Sequence, residues 1–141
     1  MNTYYESIRC RFNQFKVNMF RKVFAGRMES GLTASEIVTL YVIDMLETPT
    51  IKNYADYVGI SQSNATYRIG ALVEKGYLDK VPSQKDRRES HLFTTWKCKK
   101  LLKGDMRSTE ELEAKLKARF SDEELEIAKE VLEIYLDYMD K

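Results

Sequence analysis

Between Thr50 and Gly76 the sequence has room for two helices and only two residues to turn between them. Thr50 is an N-cap residue, and Ile51, Tyr54, Ala55 and Val58 follow the i, i+3, i+4, i+7 spacing of a helix with one buried face. Gly59 breaks that pattern, and Ile60 is followed at once by Ser61, a second N-cap opening a helix over 61–75 that Gly76 ends. Such an arrangement is a helix-turn-helix. Ala65, Ile69 and Leu72 form the buried stripe of the second helix, leaving Gln62, Ser63, Asn64, Thr66 and Tyr67 on the other faces near its N-terminal end. Small polar side chains that both donate and accept hydrogen bonds are what base edges in a major groove require.

After the pair of helices, Tyr77 to Val81 and Ser90 to Thr94 read as two short strands, with Pro82, Ser83, Gln84, Lys85, Asp86, Arg87 and Arg88 as their connecting tip. A hairpin with a basic tip beside a helix-turn-helix is a wing. Upstream, Ile8, Phe12, Phe15, Met19 and Val23 form one helical stripe that Phe20 and Phe24 widen, so the first helix is expected to pack against more than one neighbour. Gly26 and Gly31 bracket a loop, and Thr33 with Glu36 makes a capping box opening a helix through Ile37, Leu40, Tyr41 and Met45 that Pro49 stops. Downstream, Thr95 begins a helical segment running to about Phe120, with Gly104 as a bend. Ser121 and Glu124 make a further capping box before a stripe of Leu125, Ala128, Val131 or Leu132, Tyr135 and Met139.

Charge is sorted along the chain. The formal net charge is +1, yet residues 51–103 hold 11 basic and 5 acidic side chains and residues 104–141 hold 6 basic and 12 acidic. A basic middle and an acidic end suggest one surface for a polyanion and another for protein or water. With 141 residues there is room for one domain with helical extensions, and 6 Gly and 2 Pro leave long helices undisturbed. No apolar run is long enough to span a membrane, and the start lacks the layout of a signal peptide, so a cytoplasmic protein without membrane contact is expected. Cys10 and Cys98 are too few for a disulfide framework, and with His91 they match no zinc-ligand spacing, so neither a metal nor a cofactor is expected. His91 reads as structural, and Trp96 with the 9 tyrosines reads as core and interface packing. No paired carboxylates, nucleophile–base pair or phosphate loop argue for an enzyme.

Three passages in order, IKNYADYVGISQSNATYRIGALVEKGYL, KDRRES and FSDEELE, resemble the MarR family of winged helix-turn-helix transcription factors. The likeness runs from about Leu32 to the C-terminus, and the first helix matches in kind only. It implies a mainly α fold with a small β wing. A winged lobe over about 33–95 would be flanked by dimerisation helices over 1–25 and 96–141. It implies a homodimer on a pseudo-palindromic double-stranded operator, acting as a repressor that a small lipophilic or phenolic effector releases. Wide apolar faces on terminal helices ask independently for a partner copy.

By position, Ser63, Asn64, Thr66 and Tyr67 are the base-reading candidates, Ser61 and Gln62 at the helix N-terminus suit a phosphate, and Arg68 is placed for either. The resemblance makes Asp86 the residue that orients a neighbouring arginine, and Arg87 and Arg88 the minor-groove candidates, where a narrow groove is most negative. Lys52, Lys75, Lys80 and Lys85 are ordinary phosphate neutralisers, each of them equally readable as a plain surface lysine. The family's effector cleft would be lined here by Phe12, Phe15, Met19, Tyr41, Met45 and Leu101, which are equally suited to a core. Some relatives sense peroxide through a first-helix cysteine, the position of Cys10 between Arg9 and Arg11; a thiol that merely packs is the competing reading. A winged helix that binds protein is a third. The chain departs from the family at Tyr67, where many relatives carry Arg, and at Arg68, where many carry an apolar residue. Cys98 stands in place of a helix-start glycine, and Gly70 lies inside the recognition helix at a cost of about 1 kcal/mol relative to Ala.

Overall fold

The structure, a computed structural model, describes residues 3–102 and 109–141. The chain forms two compact units, Met1–Asp105 and Met106–Lys141. In the first, α1 (Tyr4–Phe24) is followed by a single 3-10 turn (Met28–Ser30), α2 (Ala34–Met45), α3 (Ile51–Val58) and α4 (Gln62–Glu74). The strands β1 (Leu78–Pro82) and β2 (Ser90–Thr94) and helix α5 (Trp96–Leu102) complete it. The second holds α6 (Thr109–Lys117) and α7 (Asp122–Met139). The expected bend at Gly104 lies outside the described residues.

Capping starts most of these helices. Thr3, Thr33, Thr50 and Ser121 each accept the backbone N–H three residues on, while Glu6, Glu36, Asn53 and Glu124 reach back to the cap N–H. Each box satisfies two N–H groups that a helix leaves without partners. Helix α2 ends at Met45, the last of its expected apolar positions, ahead of Pro49. The residue before a proline avoids the helical region, and the Pro49 carbonyl must instead accept the Leu92 N–H at 2.8 Å. Glu47 and Thr48 turn the chain there with φ of 50° and 39°, left-handed values that cost a residue with a side chain about 1–2 kcal/mol each.

Ile37, Leu40 and Ile43 of α2 meet Tyr54 and Ala55 of α3, Ala65, Ile69 and Leu72 of α4, Leu78 and Leu92 of the strands, and Cys98 and Leu102 of α5 in one core. Truncating any of the buried leucines there costs about 2–5 kcal/mol. Inside this core the Tyr54 hydroxyl lies 3.0 Å from Thr39 Oγ1, which itself donates to the Ser35 carbonyl at 2.9 Å, tying α3 to α2. The hairpin pairs Leu78 with Thr94 through Pro82 with Ser90, so Pro82 belongs to the strand and not to the tip. The proline closes an edge strand, the place in a sheet where a missing N–H is tolerated. A bridge from Thr50 to His91 adds a third, one-residue strand, and His91 Nδ1 faces the Thr48 carbonyl at 3.3 Å.

The terminal helices differ in kind from this lobe. Only Val23 and Phe24 of α1 pack on the core, while Phe15, Met19 and Phe20 are exposed. In the second unit neither helix has a buried residue, and Ile127, Val131, Leu132, Ile134 and Leu136 of α7 are all exposed. Large apolar patches of this size are uncommon on a chain that works alone. The expected packing of Trp96 also fails within the chain: it is 79% exposed at the start of α5, whereas Tyr54 and Tyr77 are in the core.

Candidate nucleic-acid interface

The turn between α3 and α4 depends on Gly59, whose φ of 72° continues from the last turn of α3; its N–H and that of Ile60 both return to the Ala55 carbonyl. A side chain there would find open space but a disfavoured backbone. Ser61 then caps α4 by accepting the Asn64 N–H at 3.2 Å, and its hydroxyl lies 3.3 Å from that of Ser63. With Ala65, Ile69 and Leu72 fixed in the core, Gln62, Ser63, Asn64, Thr66 and Tyr67 are all exposed and Arg68 is half-buried. The Thr66 hydroxyl donates to the Gln62 carbonyl at 2.8 Å, so toward a ligand it offers an acceptor and a methyl group. Tyr67, at 81% exposure, presents nearly its whole ring to solvent.

The wing tip is a built turn. Ser83 is buried, donates its N–H to the Glu89 carbonyl at 2.8 Å, and accepts the Lys85 and Asp86 N–H groups on its hydroxyl. Asp86 in turn accepts the Arg88 N–H at 3.0 Å and its Nε at 3.1 Å on one carboxylate oxygen, and Nη2 at 3.3 Å on the other. The Arg88 guanidinium, with help from the Arg88 N–H, holds the Asp86 carboxyl below its ordinary range. Asp86 therefore orients Arg88. Arg87 beside it is exposed and, among the described residues, makes no ion pair.

Between wing and helix lies a cleft of about 130 Å³ lined by Thr50, Ile51, Lys52, Gln62, Thr66, Lys80, Arg88, Glu89 and Ser90. Three cations from α3, β1 and the wing face a single carboxylate, with hydroxyl and amide donors between them. The arrangement suits one phosphodiester of a strand whose neighbouring bases meet the exposed end of α4. Thr50 and Ser90 were not legible as part of it, because only the pairing of β2 with the chain before α3 brings them there. The lysines do not behave alike. Lys75 is bonded to Glu36 at 2.7 Å and holds that carboxyl below its ordinary range, so it is not a free neutraliser. Lys97 caps the end of α4, donating to the Lys75 carbonyl at 2.8 Å over the Tyr77 ring.

The residues expected to line an effector cleft are not uniformly enclosed in the chain. Phe15, Met19 and Met45 are exposed, Phe12, Tyr41 and Leu101 half-buried; Phe12 and Phe15 meet edge to face, and Leu101 packs on the lobe core. Cys10 is exposed on α1 and Cys98 is buried, its thiol pushed up to about 12 by burial and, secondarily, by Asp44.

Solved proteins share this fold. FabT of Streptococcus pneumoniae, in complex with DNA, is 22% identical over 96% of this chain and 94% of its own, with a TM-score of 0.62. The adhesin competence repressor AdcR of Streptococcus pyogenes is 19% identical over 99% of this chain and 100% of its own, with a TM-score of 0.60. A mutant of S. aureus MepR bound to an oligodeoxyribonucleotide is 19% identical over 99% of each chain, with a TM-score of 0.55. No protein of curated function matches the sequence. Residues 30–89, which hold α2, α3, α4, β1 and the wing tip, match the model of the MarR family. Over that stretch the chain is similar to the MarR family, and its fold is that of a winged helix-turn-helix.

Proposed function

We propose that the protein is a homodimeric, sequence-specific DNA-binding transcriptional regulator working in the cytoplasm as a repressor. The observation that carries this reading is the cleft where Lys52, Lys80 and Arg88 converge beside the exposed polar end of α4. In this reading α4 enters a major groove with Ser63, Asn64, Thr66 and Tyr67 toward base edges, Ser61 and Gln62 hold a phosphate, and Arg68 reaches a base or the backbone. Arg87, with Lys85 beside it, enters the flanking minor groove, while Asp86 keeps Arg88 turned toward the cleft.

The exposed apolar faces of α1 and α7 support a second copy of the chain as their cover, which would present two lobes to an inverted repeat. Two solved proteins of this fold hold DNA and one is named a repressor, which supports the same assignment. Release by a small lipophilic or phenolic effector needs only a ligand that binds better to a dimer whose lobes are misplaced for DNA. Phe12, Phe15, Met19, Tyr41, Met45 and Leu101 are the residues proposed to meet it. Exposure of Cys10 favours a second trigger, oxidation of that thiol, which Cys10→Ser would abolish.

Light scattering and duplex binding test the reading together. A mass of two chains is expected, with binding lost in a folded double variant, Arg87→Ala with Arg88→Ala. A monomer refutes the dimer. Full biological activity without both arginines would move the assignment to a winged helix that binds protein.

A further inference from the structure

The chain enters the winged lobe through α1 and leaves it through α5, and one side chain bonds to both. Arg27, in the turn after α1, is only 5% exposed. Its Nε donates to the Leu101 carbonyl near the end of α5 at 3.1 Å, and its Nη1 donates to the carbonyls of Lys22 and Val23 near the end of α1. Its own backbone is held too: the Arg27 N–H donates to the Phe24 carbonyl at 3.2 Å, and the Arg27 carbonyl accepts from the Ser30 N–H at 3.1 Å and from the Ser30 hydroxyl.

The Lys22 and Val23 carbonyls are groups that α1 cannot satisfy for itself. The last four carbonyls of a helix lack internal donors, and their aligned dipoles place about half a negative charge at that end. One cation here joins that end of α1 to the Leu101 carbonyl of α5. A guanidinium suits this because its donors lie in a rigid plane and reach different acceptors in fixed directions, whereas a lysine ammonium is a point charge on a flexible stem. The contact with Leu101 spans 74 residues of sequence, so it constrains the joint and not merely the local turn.

We propose that Arg27 is a positioning residue that fixes the direction of α1 against α5, and so the attitude of the winged lobe on its dimerising helix. The proposal rests on the dimeric DNA-binding reading above. A single lobe meets a single half-site whatever its joint does. Two lobes meet two half-sites with full affinity only if their separation is set before binding, since a loose joint lowers the effective concentration of the second lobe at its site.

The test compares wild type, Arg27→Lys and Arg27→Met on duplexes carrying one half-site or the whole inverted repeat recovered with the wild-type protein. In variants that melt cooperatively, full-site affinity should fall about tenfold or more while half-site affinity stays within about twofold. The wild type should lose affinity steeply when the half-sites are moved apart by about two base pairs of a roughly ten-base-pair turn, and the variants should show a flatter dependence. A merely structural arginine would lower the melting temperature and weaken both duplexes equally, and that result overturns the proposal. If neither variant folds, the wild-type spacing series decides alone: tolerance of altered spacing means that the joint is not fixed. A wild type that does not prefer the full site to the half-site refutes the dimeric reading instead.

Discussion

The lysines around the recognition helix make a prediction that separates geometry from charge counting. Lys52 stands in the cleft with Lys80 and Arg88, whereas Lys75 is consumed by Glu36 at 2.7 Å. Cations that displace counterions from duplex DNA give log affinity a slope of about −0.9 per phosphate contact against log salt. A substitution in a homodimer removes two contacts, so Lys52→Ala or Arg87→Ala should flatten the slope by about 1.8, and Lys75→Ala by almost nothing. Between about 100 and 200 mM salt that difference corresponds to a roughly 3.5-fold change in how strongly affinity responds. Fluorescence anisotropy on a random-sequence duplex, repeated across a salt series, measures it without knowledge of the operator. Equal flattening by Lys75→Ala and Lys52→Ala would refute the reasoning, because it would mean that any surface lysine serves and the cleft has no special place.

Three further outcomes concern the stability of the lobe. Thr39 gives its proton to the Ser35 carbonyl, so Tyr54 must donate to Thr39, and Thr39→Val, which leaves a buried hydroxyl unsatisfied, should cost about 1–3 kcal/mol against about 0.5–1.5 for Tyr54→Phe. Urea denaturation of the double variant should show the two costs to be less than additive; strict additivity would mean the bond is absent. Gly70 is exposed in the middle of α4 with open space where a Cβ would go, so Gly70→Ala should stabilise by about 0.5–1 kcal/mol, and a fall in melting temperature would contradict its helical placement. The Cys98 thiol keeps its proton to about 12 in the native protein against 9.0 ordinarily. Its contribution to stability is therefore complete below about pH 9 and lost between pH 9 and 12, by at most about 1.4 kcal/mol per unit, and Cys98→Ala should lose that component of the alkaline unfolding profile. An identical profile in the variant would show that the thiol titrates normally.

How much of this was legible depends on how local each signal is. Thr50, Gly59 and Ser61 dictate the helix-turn-helix from within a dozen residues, because caps and a left-handed glycine act on the backbone beside them. Asp86 and Arg88 pair two residues apart, and the stripe of α4 faces the core as its spacing requires. What escaped was non-local. The left-handed turn at Glu47 and Thr48, and the bond from the Leu92 N–H to the Pro49 carbonyl 43 residues away, have no local signature. Lys75, readable from the sequence as a phosphate contact or a plain surface lysine, has Glu36, 39 residues earlier, as its partner. Arg27 carries no pattern at all in the sequence, since the Lys22, Val23 and Leu101 partners it finds are backbone carbonyls that no residue type announces. Of the core and interface packing expected of Trp96, its exposure within the chain leaves the interface, which a single chain does not contain.

Selection of bound duplexes from a randomised library tests the central claim most directly. The account predicts enrichment of an inverted repeat with half-sites about one helical turn apart, Asn64→Ala relaxing one base position in each half and Arg87→Ala weakening binding across all sequences. Weak, unselective binding that disappears at modest salt, with no enriched site, would contradict it and leave only a basic surface.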